Sequence, residues 1–230
     1  MPRFADQVAF ISGAARELGN AMAERFAAEG PSVPLADADA VAEEIARDHG
    51  VRAHAATVDV RSSAQVQQWI RRTVTELGRS TFWSTTPVIR DNRAEDISDE
   101  DRRRRRHRPR RCLLRHPRRT ADHEGAVLRP GALAVLDDLA RELRPRRQAG
   151  IVGLTRTVAL EGARHGITAN AIAPGLIDTP MPASMNRRAQ QKLIAKIPVG
   201  HTGIPHDIAE AAAFLCSPQA RFVTGVDVES

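Results

Sequence analysis

The sequence predicts an α/β fold, a doubly wound parallel sheet with helices on both faces. Short apolar runs ending in Gly or Asp alternate with helical stripes through the first 79 residues, and the same alternation returns from Ile151. At 230 residues and 25.1 kDa the chain suits one α/β domain, residues 1–230.

QVAFISG, Gln7 to Gly13, is an apolar run closed by glycine, as a buried parallel strand requires. A helix follows, with Leu18, Met22 and Phe26 at i, i+4 and i+8 and Gly30 as its stop. PSVPLAD gives a second strand ending at Asp37, AVAEEIARDHG a second helix ending at Gly50, and AHAATVDV a third strand through Asp59 and Val60. Ser62 or Ser63 caps a third helix whose Val66, Ile70, Val74 and Leu77 form one stripe. After Ile151, GLTRTVALEGARHG reads as a helix with Leu154, Val158 and Ala159 inward, ITANAIAPG as a strand and loop, and PHDIAEAAAFLCS as a helix presenting Ile208, Ala212 and Leu215. Between Ser80 and Gln148 neither period is sustained, apart from SDED at Ser98 to Asp101, which has the form of a capping box.

The net charge of +6 is concentrated in that middle. Residues 101–150 hold 16 arginines and no lysine against 6 carboxylates, a local balance of +10, so the other 180 residues carry −4. An arginine run attracts polyanions through their phosphates, but this one has no interleaved aromatics and no recognisable binding module, so no specific nucleic-acid partner is expected. His107, Cys112, His116 and His123 match no zinc spacing and arginines surround them, so no metal is expected. His49, His54, His165, His201 and His206 read as surface residues. Cys112 and Cys216 form no CxxC pair, the N-terminus has no leader pattern, and no 18-residue apolar run occurs; the expectation is a cytoplasmic protein with no membrane partner.

SGAARELG, Ser12 to Gly19, lies between the first strand and its helix. Backbone N–H groups at such a helix start attract a pyrophosphate, and glycines allow its close approach; a plain tight turn has the same spacing. Asp37, 18 residues past Gly19, stands where a carboxylate accepts hydrogen bonds from an adenosine ribose and repels a 2′-phosphate. It also reads as a solvated loop aspartate, with Asp39 equally near.

SGAARELGNAMAERFAAEG, VDV at Val58 to Val60, AGIVGLTRTVALEGARHGITANAIAPGLIDTPM from Ala149 to Met181, and IPVGHTGIPHDIAEAAAFLCSPQARFVTG from Ile197 to Gly225 resemble the short-chain dehydrogenase/reductase family, and within it the 3-oxoacyl-acyl-carrier-protein-reductase-like members. The resemblance covers residues 4–79 and 149–225 and leaves 80–148 aberrant. It implies a Rossmann-type fold, an NAD cofactor with NADP as the alternative, a small carbonyl or alcohol substrate, a substrate loop around Met181 to Lys196 and, by analogy, a homotetramer. By position, Gly13, Arg16, Leu18 and Gly19 would line the pyrophosphate, Asp37 would meet the ribose, and Asp59 with Val60 would flank the adenine. Pro174, Gly175, Ile177 and Thr179 would hold the nicotinamide end, Ile177 through its backbone.

Several positions depart from the family pattern. Glu17 replaces the middle glycine, placing a carboxylate beside the pyrophosphate. The family's Tyr, its general acid/base, aligns with Arg144, and the Lys that lowers that Tyr's pKa aligns with Gln148; the chain contains no tyrosine. Arginine stays protonated near neutrality, and Gln148 carries no charge, so no catalytic residue is assigned. The Asn-Asn-Ala-Gly motif after the fourth strand is replaced by STTP at Ser84 to Pro87.

The genetic code connects these departures. The codons of STFWSTTP, read one base earlier, can spell Ile-Asp-Val-Leu-Val-Asn-Asn-Ala, the missing strand and motif. Shifted the other way, CLLRH can spell Ala-Phe-Tyr-Val-Thr, RRTADHE can spell Ala-Ala-Leu-Pro-Thr-Met-Lys, and ELR can spell Asn-Phe-Gly, strings of the family's central helix and pre-Tyr loop. The expectation is that Ser80 to Pro87, and from about Arg102 to Gln148, are GC-rich codons translated out of frame. The function the resemblance implies is that of an NAD(P)-dependent oxidoreductase transferring hydride between nicotinamide and a ketone or secondary alcohol, inactive as written; the alternative is a catalytically dead dinucleotide-binding or scaffold protein.

Overall fold

A computed structural model describes residues 3–15, 17–58, 62–77, 82–85, 132–136, 145–180 and 187–229. Arg16, Asp59, Val60, Arg144, the SDED segment, the arginine run and its His and Cys residues lie outside them.

The described elements run β1 (Ala9–Ser12), α1 (Glu17–Ala27), β2 (Val33–Ala36), α2 (Asp39–His49), β3 (Ala53–Ala56), α3 (Ser63–Leu77), β4 (Phe82–Thr85), β5 (Ala132–Leu136), α4 (Pro145–Ala163), β6 (Thr168–Ala173), α5 (Arg187–Ile194), α6 (Pro205–Leu215) and β7 (Asp227–Glu229). All seven strands form one parallel sheet in the order β3-β2-β1-β4-β5-β6-β7. The chain winds outward from β1 to β3, then returns to the other side of β1, so strand direction of travel reverses between β1 and β4. Ligands of open α/β sheets bind in the crevice that this reversal leaves at the carboxyl ends.

Alternation along β1 divides the core between two faces. Ala9 and Ile11 join Met22 and Phe26 of α1, Ala42 and Ile45 of α2, and Ile208 and Ala212 of α6 in one buried cluster. Val8 and Phe10 point the other way, toward Val58 and Trp69 of α3. Phe10 and Trp69 meet edge to face at 5.3 Å, so the inward face of α3 is centred on Trp69 and Thr73, with Ile70 and Leu77 at its margin. The predicted stripe was turned slightly from this face, because it counted aliphatic side chains and passed over the tryptophan. On α4 Ala159 is buried as expected, accompanied by Thr155, while Leu160 faces outward.

Strand ends differ from the sequence reading for local reasons. β2 stops at Ala36 because Asp37 turns into the left-handed region with φ 56°. β3 stops at Ala56, the residue in register with Ala36. The middle of the chain, where no period is legible, contributes two strands: β4 pairs with β1 through Ile11 and Ser84, and β5 lies between β4 and β6. Among the described residues no helix is long and apolar enough to cross a membrane.

Candidate functional site

Because every strand is parallel, the segments after β1, β2 and β6 emerge along one edge of the sheet. They bring together Gly13, Leu18, Gly19, Asp37 and Pro174–Thr179, the described part of the expected set.

Gly13 turns with φ 71° between β1 and α1, a conformation that L side chains rarely adopt. A β-carbon on Gly19 would stand 2.1 Å from the Gly13 carbonyl oxygen. The turn and the first coil of α1 therefore touch backbone to backbone, and it is the backbone N–H groups at such a helix start that attract a pyrophosphate. Leu18 packs its side chain against the core cluster, so it reaches this cradle through its backbone. Glu17 opens the helix with φ 51°. The residue that replaces the expected glycine thus adopts a glycine-like backbone, at a cost of about 1–2 kcal/mol, and sets a carboxylate at the anion-attracting end of α1.

Asp37 is exposed at the end of β2, and its Oδ1 accepts a hydrogen bond from the Val58 N–H at 2.9 Å. Its own N–H donates to the Ala56 carbonyl at 2.9 Å. These bonds fix the side chain between the ends of β2 and β3, with Oδ2 unpartnered among the described residues. Asp37 is exposed to solvent, as the loop reading has it, and its side chain is also held in place.

After β6, Pro174, Leu176 and Ile177 are buried, Gly175 and Thr179 half-buried, and Asp178 exposed. Ile177 forms an isolated parallel bridge with Gly203: the Gly203 N–H donates to the Leu176 carbonyl at 3.0 Å and the Asp178 N–H to the Gly203 carbonyl at 2.8 Å. Such a bridge uses the groups flanking Ile177, so the N–H and C=O of Ile177 itself face the opposite side. Neither finds a partner among the described residues, although the residue is only 6% exposed. A buried donor beside a buried acceptor is costly to leave unpaired and matches a primary carboxamide, which offers one of each.

Gln148 lies in the first turn of α4. The sequence reading missed Gly203, Asp207 and Arg25. The Asp207 Oδ2 accepts the Ile204 N–H at 2.8 Å and closes the first turn of α6. Arg25 of α1 pairs with both Glu29 and Glu210 of α6. Burial works to raise the Glu29 carboxyl pKa, but hydrogen bonds from Arg3 and Arg25 prevail and hold it below the usual carboxylate range. Helix α6 is thereby tied both to the helix of the first cradle and to the loop after β6. Cys216 is buried, which pushes its thiol up to about 12 and leaves it protonated. Four of the five histidines outside the arginine-rich middle are exposed as expected. His54 is the correction: it is half-buried, with Nε2 enclosed 3.7 Å from Glu76. Among the described residues no cluster of His, Cys, Asp or Glu could hold a metal ion.

The family description "short chain dehydrogenase" matches residues 7–97, and "Enoyl-(Acyl carrier protein) reductase" matches residues 146–229. The BbsD subunit of a hydroxy(phenyl)methylsuccinyl-CoA dehydrogenase from Thauera aromatica is 32% identical over 96% of this chain and 93% of its own length. The chain belongs to the short-chain dehydrogenase/reductase family. Within it, the 3-oxoacyl-acyl-carrier-protein reductase FabG of Vibrio cholerae is 28% identical over 95% of this chain and 93% of its own. A metagenomic blue fluorescent protein, solved in complex with NADPH, superposes with a TM-score of 0.81 at 27% identity, covering 99% of this chain and 97% of that one. The short-chain dehydrogenase/reductase fold, an oxidoreductase fold, is therefore present from β1 through β7.

Proposed function

We propose that this chain is a dinucleotide-binding member of the oxidoreductase family that has lost its proton-transfer chemistry. The observation that carries the binding half is the backbone of Ile177, a residue only 6% exposed, whose N–H and C=O find no partner among the described residues and suit a nicotinamide carboxamide. Gly13, Arg16, Leu18 and Gly19 would line the pyrophosphate. Asp37 would take the adenosine ribose through Oδ2, which favours NAD over NADP, whose 2′-phosphate it would repel. Asp59 and Val60 would flank the adenine, and Pro174, Gly175 and Thr179 would close around the nicotinamide. The NADPH held by the structural neighbour supports a nicotinamide dinucleotide as the ligand class.

When bound, such a cofactor supplies a hydride from nicotinamide C4 to a carbonyl carbon, or takes one from an alcohol. The protein's part would be to handle the proton on the substrate oxygen. With no tyrosine anywhere in the chain, and Arg144 and Gln148 at the family's Tyr and Lys positions, neither of those positions carries a group that exchanges that proton near neutral pH. Loss of general acid catalysis costs on the order of 10² to 10⁴ in rate. The substrate class implied for an intact member is a ketone or secondary alcohol of the 3-oxoacyl type; this chain would bind the cofactor with negligible turnover.

The arginine-rich middle is read as slipped triplets, a consequence of frame and codon composition with no nucleic-acid function. A single cytoplasmic domain is the corresponding organisation. Titrating the purified chain with NADH and following its fluorescence tests binding; resequencing codons 79–150, with a mass spectrum of the 102–111 peptide, tests the frame. Fluorescence enhancement without NADH consumption is expected. No binding, or steady consumption with a ketone, overturns the proposal.

A further inference from the structure

The Ile177 pair is useful only if its direction is fixed, and the loop after β6 has no strand of its own to fix it. Gly203, 26 positions later in the chain, makes both of the hydrogen bonds that flank Ile177. Its backbone lies outside the left-handed region, so the effect of a side chain here is set by the neighbouring side chains it would displace. A β-carbon at this position would stand 2.9 Å from Cδ1 of Ile177 and 3.4 Å from Oδ2 of Asp207, the oxygen that caps α6. Ile177 shares its core cluster with Ala14 behind the first cradle and Ile208 of α6, which limits where it can retreat.

We propose that Gly203 is a positioning residue: its missing side chain lets the start of α6 clamp the 176–178 backbone so that the Ile177 N–H and C=O face the carboxamide of the ligand. It touches no ligand itself and acts through Ile177. The proposal rests on the dinucleotide reading above. It makes affinity for the nicotinamide half depend on residue 203, and affinity for the adenosine half independent of it.

The test measures dissociation constants of the full chain for NADH and for ADP-ribose, which lacks the nicotinamide, in wild type, G203A, G203V, I177V and I177V/G203A. G203V is expected to weaken NADH by about tenfold or more, the loss of one to two hydrogen bonds, and to leave ADP-ribose within about twofold. I177V removes the Cδ1 that a β-carbon would strike, so I177V/G203A should bind NADH like I177V alone, whereas G203A in the parent background should not match its parent. Amide exchange gives a ligand-free reading: the Asp178 N–H should exchange about tenfold faster in G203V, while the Ala171 N–H, bonded to the Val226 carbonyl at 2.9 Å, should not change. Equal losses for both ligands, or unchanged Asp178 exchange, would overturn the role of Gly203 alone. Failure of the wild type to bind either ligand would overturn the dinucleotide reading and this role with it.

Discussion

Gly19 rests against Gly13 so closely that a β-carbon on it would come within 2.1 Å of the Gly13 carbonyl oxygen and 2.6 Å of its carbon. Both atoms are backbone, so neither can rotate aside. Gly19→Ala must lift α1 away from β1, and because Met22 and Phe26 sit in the core under that helix, the core opens with it. The expected cost is about 1–3 kcal/mol, the range for overpacking, read as a lower urea midpoint at unchanged slope. NADH binding should disappear at protein concentrations where the folded state still dominates.

Glu17 has φ 51° and a carboxylate beside the same cradle. Glu17→Gly should raise stability by about 1 kcal/mol through relief of the left-handed backbone, less what glycine gives back in chain entropy. It should also tighten NADH. Glu17→Gln keeps the backbone and removes the charge, so calorimetry on both variants separates strain from repulsion: the glutamine variant should gain affinity without gaining stability.

Asn170 in β6 is fully buried, donates from Nδ2 to the Val223 carbonyl at 3.0 Å, and accepts the Val226 N–H at Oδ1 at 3.4 Å. It holds the turn that carries β7 onto the sheet edge. Asn170→Ala would remove both hydrogen bonds, to the half-buried Val223 and the exposed Val226, a cost of about 1–3 kcal/mol for two ordinary hydrogen bonds. Thermal unfolding followed by far-UV dichroism checks it, and an unchanged midpoint would show that the turn holds without the amide.

His54 introduces a pH dependence. Burial lowers its pKa from the ordinary histidine value, and the nearby Arg72 and Arg52 charges add to this, while Glu76 acts in the opposite direction. The folded state therefore prefers the neutral ring, and the unfolded chain binds more protons as pH falls through about 6.5, its unperturbed value. The stability contributed by His54 is present above that pH and declines below it, until the folded-state pKa is passed. Urea midpoints measured between pH 7.5 and 5 should show a smaller decline in His54→Gln than in the parent; equal declines would remove His54 as a source.

The two flanks were legible because their signals are local. Leu18, Met22 and Phe26 with Gly30 describe α1 without reference to any other segment, and the structure buries Met22 and Phe26 completely. Asp37 was legible as a residue but not as a fixed one, since its anchor is a backbone N–H 21 positions away. β4 and β5 were illegible because their places depend on pairing with β1 and β6, and FWST and ALAVL show neither an alternation nor a turn that marks them as central strands. Gly203 left no trace in the pattern for the same reason: the side chain it lies against is Ile177, which sequence order keeps far from it. Glu17 was visible as a departure, but its left-handed backbone was not.

The central claim is that the dinucleotide cradle survives without a group to move the proton. Its most direct measurement is single-turnover hydride transfer from NADH deuterated at C4 to a panel of 3-oxoacyl thioesters and simple ketones, using chain whose arginine-rich peptide is verified by mass. The account predicts saturable NADH binding with deuterium transfer to the alcohol slower than ordinary enzymatic rates by about 10²-fold or more. Deuterium transfer at a rate near 1 s⁻¹ or above, within the ordinary range of enzymes, would contradict it.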